Sequence, residues 1–81
     1  MSEIRLVMTC GACPEQYDAF IGDTQVGYLR LRHGYFQVRY PDVGGELVYD
    51  SATRGDGLFE ESEREYHLTR ARWAIAARLA Q

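Results

Sequence analysis

Residues 26–40 read VGYLRLR, then HG, then YFQVRY: two alternating runs joined by the dipeptide His33–Gly34. A two-residue connection ending in glycine between such runs is the signature of a tight β-hairpin. The backbone must take positive φ there, and glycine does so without steric cost. With His33 and Gly34 as the turn, Arg32 faces Tyr35, Leu31 faces Phe36, Arg30 faces Gln37, Leu29 faces Val38 and Tyr28 faces Arg39. Successive side chains of a strand point to opposite faces. Leu29, Leu31, Phe36 and Val38 therefore share one face, the predicted core. Tyr28, Arg30, Arg32, Tyr35, Gln37 and Arg39 share the other.

The rest of the chain extends this hairpin. EIRLVM predicts a first strand at Glu3–Met8, which TCGACPE breaks with Gly and Pro. QYDAFI reads as a second strand, GDTQ and PDVGG as turns, and ELVYD as a further short strand. From Leu58 or Ser62 to about Ala80 the pattern is helical. Ser62 with Glu65 has the spacing of a capping box, acids crowd the first turns, and Arg70, Arg72 and Arg78 follow. The expected fold is α+β: an antiparallel meander of about five strands with one C-terminal helix packed on one face. It would form a single domain over residues 1–81, with strands within 3–50, a loop at 51–57 and the helix at about 58–80. At 100° per residue, Phe59, Tyr66, Trp73, Ala77 and Ala80 fall on one side of the helix, with Leu68, Ile75 and Leu79 nearly opposite. Two apolar stripes predict that one packs on the sheet and the other meets a second copy, giving a homo-oligomer through the helix.

Charge narrows the function classes. The formal net charge is -3, which argues against general nucleic-acid coating. Yet residues 24–41 hold Arg30, Arg32 and Arg39 and no acid, and all nine basic residues are arginine. Arginine presents a planar fork that pairs bidentately with carboxylate or phosphate. No apolar run approaches the ~20 residues of a membrane helix, and the first residues lack the features of a signal peptide. The expectation is a cytoplasmic protein with no membrane partner.

Motifs for catalysis are missing. No Ser–His–Asp spacing, HExxH, phosphate-binding glycine loop or dinucleotide fingerprint occurs. Asp56, Glu60, Glu61, Glu63 and Glu65 gather around a helix start, where carboxylates complement the dipole and face solvent. Cys10 and Cys13 form a CxxC, but a redox motif needs a strand–helix context that is not predicted here. With His33 and His67 the two cysteines make a Cys2His2 count, at separations far from those of zinc fingers. The pair reads first as two small, largely buried thiols in a tight turn. No enzyme and no cofactor is expected.

The Arg/Tyr face is therefore the candidate site. Three guanidiniums on one pleated face repel unless an anion neutralises them, and Asp18 of the neighbouring strand is an internal candidate if the GDTQ connection takes three loop residues. An external one is an anionic, nucleotide-like small molecule flanked by aromatic rings, or an acidic protein surface. Arg30, Arg32 and Arg39 would pair with its phosphate or carboxylate. Tyr28 and Tyr35 would stack on a base, His33 would donate a hydrogen bond, and Gln37 completes the set. A protein-interaction module is the alternative, ahead of a structural zinc domain.

The run TCGACPEQYDAFIGDTQVGYLRLRHGYFQVRYPDVGGELVYD resembles small uncharacterised proteins of phage and prophage type. The resemblance covers about the first two thirds of the chain and rests on the cysteine turn and GYLRLRHGYF. It carries no activity over to any residue. It implies a context: such proteins are often counter-defence factors that sequester nucleotide second messengers or mask a host protein.

Overall fold

A computed structural model describes residues 3–11 and 14–81. Five strands, β1 (Arg5–Cys10), β2 (Glu15–Ile21), β3 (Thr24–Arg32), β4 (Tyr35–Tyr40) and β5 (Glu46–Ala52), precede a helix, α1 (Glu61–Leu79). The strands form one antiparallel meander in the order β1-β2-β3-β4-β5. The fold is thus the expected α+β sheet with one C-terminal helix packed against it. No helix among the described residues is long and apolar enough to cross a membrane.

The β3–β4 hairpin has the anticipated register, from Tyr28 opposite Arg39 to Arg32 opposite Tyr35. His33 and Gly34 take φ of 54° and 72°. Positive φ at both central positions is the turn whose twist suits a two-residue hairpin. Leu29, Leu31, Phe36 and Val38 are fully buried, joined by Tyr17, Ala19 and Val26 from the same side and by Leu68, Ala71 and Ile75 from α1. Full burial of a side chain such as Phe36 contributes roughly 1.5–3 kcal/mol. Phe36 also meets Phe59 edge to face at 5.1 Å. The helix approaches β3 closely at Gly27, where an added Cβ would lie 2.5 Å from Ile75 Cδ1.

The element ends differ from expectation for identifiable reasons. β1 starts at Arg5 and continues through Thr9 and Cys10, because a bulge after Met8 lets Cys10 pair with Gln16. β5 runs on to Ala52 instead of yielding to a loop at 51, because Tyr35 at the start of β4 pairs with Ala52. The β2–β3 turn uses two residues, Gly22 and Asp23. A bulge with Val26 as the extra residue then brings Ala19 opposite Gly27 and Asp18 opposite Tyr28. α1 begins at Glu61, and Glu63 makes the capping contact by accepting the Glu60 N–H at 3.0 Å. Ser62 instead accepts a hydrogen bond from Arg54 at 2.9 Å.

Of the two helix stripes, Leu68 and Ile75 pack on the sheet while Tyr66 and Trp73 stay exposed. Two members depart from the anticipated sides. Phe59 precedes the helix and is buried, and Leu79 is partly exposed at the helix end.

Candidate functional site

With α1 covering the apolar side of the sheet, the opposite side is open. Register alone puts Gln16 and Asp18 of β2, Tyr28, Arg30 and Arg32 of β3, Tyr35, Gln37 and Arg39 of β4, and Asp50 of β5 on that open side. Arg30 and Arg32 are two residues apart on one strand, roughly 7 Å. Arg39 lies on the diagonal from Arg30, at about 7–8 Å.

The two carboxylates on this face do not neutralise the arginines. None of the ion pairs among the described residues includes Arg30, Arg32 or Arg39. Arg39 Nε donates to Gln37 Oε1 at 3.0 Å, and its Nη1 donates to the Gly45 carbonyl at 3.0 Å. Both acceptors are neutral. Arg30 Nε is buried and has no acceptor. At such separations each like-charged pair costs about 0.6 kcal/mol in water and about 2 kcal/mol where partly shielded from it. That is small enough for the fold to tolerate and large enough to favour an incoming anion.

The tyrosines are anchored at their hydroxyls. Tyr28 donates to Gln16 Oε1 at 2.5 Å, and Tyr35 donates to Asp50 Oδ2 at 2.8 Å. The hydrogen bond to Asp50 holds the Tyr35 phenol above its ordinary range. Both rings are thereby oriented, and Tyr35 is exposed.

Six of the seven anticipated residues share a face, with His33 at the hairpin tip, but the seven do not share a cavity. Arg32 and His33 line one of about 420 Å³ with Pro14, Asp56 and Gly57. Tyr28 lines another of about 570 Å³ with Asp18, Gln25, Asp42, Val43 and Gly44. Arg30, Tyr35, Gln37 and Arg39 occupy the open sheet between them. Residues 53–57 build the wall beside the hairpin tip. Gly34 N–H donates to the Asp56 carbonyl at 2.7 Å, Thr53 N–H to the Gly34 carbonyl at 2.9 Å, and Glu15 N–H to the Gly57 carbonyl at 2.9 Å.

Two buried carboxylates that sequence reasoning took no account of, or took for solvated, hold that wall. Glu63, 5% exposed, accepts the backbone N–H groups of Arg54 (2.9 Å), Gly55 (2.8 Å) and Glu60 (3.0 Å). Burial alone would raise its pKa, but these three hydrogen bonds, with help from the nearby His67, lower it to about 2. Glu15, 1% exposed, accepts from Tyr17, from Phe59 N–H at 3.1 Å and from Arg64 Nε at 3.0 Å. Burial opposes its ionisation, yet the Arg64 and Tyr17 hydrogen bonds and the Arg64 charge bring its pKa below the usual carboxylate value. Tyr17 is pushed well up, by burial and by its bond to Glu15.

His67 is committed to the same framework. Its Nδ1 lies 3.2 Å from Ser51 Oγ and its Nε2 lies 3.4 Å from Glu63 Oε1, while its ring stacks on Phe59 at 5.3 Å. Ser51, His67 and Glu63 thus meet although no spacing announced them. The order is the reverse of a nucleophilic triad, with the hydroxyl on Nδ1 and the acid on Nε2, and the imidazole packs against Phe36, Phe59 and Tyr66. The contacts tie β5, the 53–57 loop and α1 together. They also give both nitrogens of His67 partners within this framework. Among the described residues no cluster of His, Cys, Asp and Glu is placed to hold a metal ion. Cys10 is half-buried at the end of β1, and Cys13 lies outside the described residues.

Fold and site together define a small α+β protein with an open, arginine-bearing sheet face. No protein-family model, curated protein or solved structure matches the chain.

Proposed function

We propose that the protein is a non-enzymatic binding protein whose Arg/Tyr sheet face captures an anionic, nucleotide-like small molecule. The observation that carries this reading is Arg30, whose Nε is buried without an acceptor between two arginines that no carboxylate pairs. Phosphate or carboxylate oxygens complement such a fork, and the anchored rings of Tyr28 and Tyr35 offer stacking surfaces on either side. In the context implied by the phage-type resemblance, the molecule would be a nucleotide second messenger, and capture would serve counter-defence. Calorimetry against a panel of mononucleotides and cyclic nucleotides tests the reading. Binding should weaken at least ~10-fold in Arg30→Ala and in Arg32→Ala, each removing a charge-assisted contact, and be unchanged in Glu61→Ala. Failure of every panel member to bind refutes it.

One observation favours a second reading on the same face. The site residues are split between two cavities with flat sheet between them, a shape that suits the acidic surface of a partner protein better than an enclosed ligand. Retention of an acidic host protein by the wild type, lost in Arg30→Ala, with no nucleotide bound, selects this alternative. In either case we take the protein to act as a homo-oligomer, in the cytoplasm, associating through α1.

A further inference from the structure

Tyr28 stands between opposite charges. It faces Asp18 of β2 on one side and Arg39 of β4 on the other. Adjacent strands are about 4.8 Å apart, so this row sets a carboxylate and a guanidinium about 10 Å apart on one face, with an aromatic ring between them. Arg30 is one step along β3 on the same face, between Gln16 and Gln37. The cavity of about 570 Å³ opens at the acidic end of the row. Its wall, the 42–45 turn, is tied to the arginine end, because Arg39 Nη1 donates to the Gly45 carbonyl at 3.0 Å.

The two acids of this cavity differ in what they already hold. Asp42 Oδ1 accepts the Gly44 N–H at 3.1 Å, a bond internal to its own turn. Asp18 is half-buried and, among the described residues, has neither a hydrogen bond nor an ion pair. A carboxylate drawn partly out of water without a donor carries a desolvation cost that incoming N–H groups recover. Gln25 Nε2 gives one hydrogen to the Gly27 carbonyl at 3.1 Å and keeps a second. Tyr28 and the exposed Val43 add apolar surface to the same cavity.

Resting on the reading of the Arg/Tyr face as a nucleotide site, we infer that the base it selects is guanine, with Asp18 as the residue that reads it. An ionised carboxylate only accepts hydrogen bonds, and its two oxygens accept a pair side by side. Guanine presents two adjacent donors on its Watson–Crick edge, N1–H and the N2 amino group. Adenine and cytosine set an amino group beside a ring nitrogen whose lone pair would oppose the second oxygen. Uracil has one N–H between two carbonyls. Among the common bases the carboxylate therefore suits guanine, and Gln25 is the donor available to O6. Charge fixes the orientation. Asp18 repels the phosphate, which goes to Arg30 and Arg39 at the other end of the row, a distance that one nucleoside phosphate spans.

Calorimetry of the full chain with the 5′-monophosphates and 3′,5′-cyclic monophosphates of guanosine and adenosine, and with inosine monophosphate, tests this. The guanosine compounds should bind at least ~10-fold tighter than their adenosine counterparts, the discrimination that a bidentate base contact provides. Inosine keeps N1–H but lacks the amino group, and should fall between them. Asp18→Asn should weaken guanosine monophosphate at least ~10-fold without weakening adenosine monophosphate. The same variant should prefer xanthosine monophosphate, whose O2 carbonyl stands where guanine has its amino group and accepts the new amide N–H. A gained preference of that kind does not arise from misfolding. Equal binding of the guanosine and adenosine compounds, an adenosine preference, or a guanine preference that survives Asp18→Asn overturns this inference and leaves the Arg/Tyr face a site blind to the base. Failure of every nucleotide to bind overturns both.

Discussion

Replacing Glu63 by Gln should lower stability by an amount that depends on pH in a defined way. The Glu63 carboxylate accepts three backbone N–H groups, and its pKa falls from an ordinary 4.5 to about 2. At 1.36 kcal/mol per pKa unit the displacement corresponds to roughly 3 kcal/mol. Glu63 also borders an open cavity of about 620 Å³, so solvent screens part of that and about 2 kcal/mol is the better expectation. A depressed carboxyl stabilises the fold fully above its unfolded pKa. The contribution is lost as pH falls through the folded value. The wild type should therefore lose these ~2 kcal/mol between about pH 5 and pH 2, and Glu63→Gln should lack that component of the slope. Glutamine also turns an NH2 group toward at least one backbone N–H, much as a protonated carboxyl would, so the two proteins should converge near pH 2. Urea melts followed by far-ultraviolet circular dichroism measure this. Trp73 fluorescence does not serve, because that ring is already exposed. With a slope near 1 kcal/mol/M for so small a protein, the midpoints should differ by about 2 M at pH 7. A difference that stayed constant from pH 7 to pH 2.5 would refute the assignment to charge and leave only lost packing.

Two further substitutions test the framework. Gly27→Ala forces a Cβ to within 2.5 Å of Ile75 Cδ1 and 3.2 Å of Ala19 Cβ, and should cost about 1–3 kcal/mol by chemical denaturation; an unchanged midpoint would show that α1 sits farther from β3. Arg64→Met removes the cation from the fully buried Glu15 and should cost about 3 kcal/mol at pH 7, with partial recovery when Glu15→Gln is added. Additive losses in the double variant would count against a coupled pair.

The hairpin was legible because two local rules coincide in it: period-two alternation and a connection that demands positive φ. Its register followed with no long-range information, and with it the separation of Leu29, Leu31, Phe36 and Val38 from the arginines. What escaped notice were carboxylates whose roles depend on distant partners. Glu15 and Arg64 are 49 residues apart, and nothing near Glu15 in the chain marks it as the one to be buried. Glu63 sits among acids of similar appearance at a helix start. It differs from Glu61 and Glu65 only because the 53–57 loop folds back and offers two backbone N–H groups. The same demand shifts the capping contact from the Ser62–Glu65 spacing to Glu63 and Glu60. Asp18 reaches the open face through a two-residue turn and the Val26 bulge rather than through the expected three-residue loop, and register does not specify which neighbours a flexible carboxylate will pair with.

The two proposed surfaces stand on opposite sides of the molecule, and this makes their energetics separable. α1 contacts β3, β4 and β5 from the side of Leu29 and Phe36, so association through α1 leaves each copy's arginine face turned outward. Two sites change one another's affinity only if binding at one alters something the other senses. Between them here lies a sheet with the well-filled core of Leu29, Leu31, Phe36 and Val38. A Trp73→Glu chain, changed on the exposed side of α1, should accordingly bind any nucleotide the wild type binds with the same Kd per chain, within about twofold. Arg30→Ala should sediment like the wild type. Calorimetry on the first and sedimentation on the second check the pair of expectations. Loss of nucleotide binding in Trp73→Glu would mean that assembly through α1 completes the site. The open sheet face would then be half of a composite one.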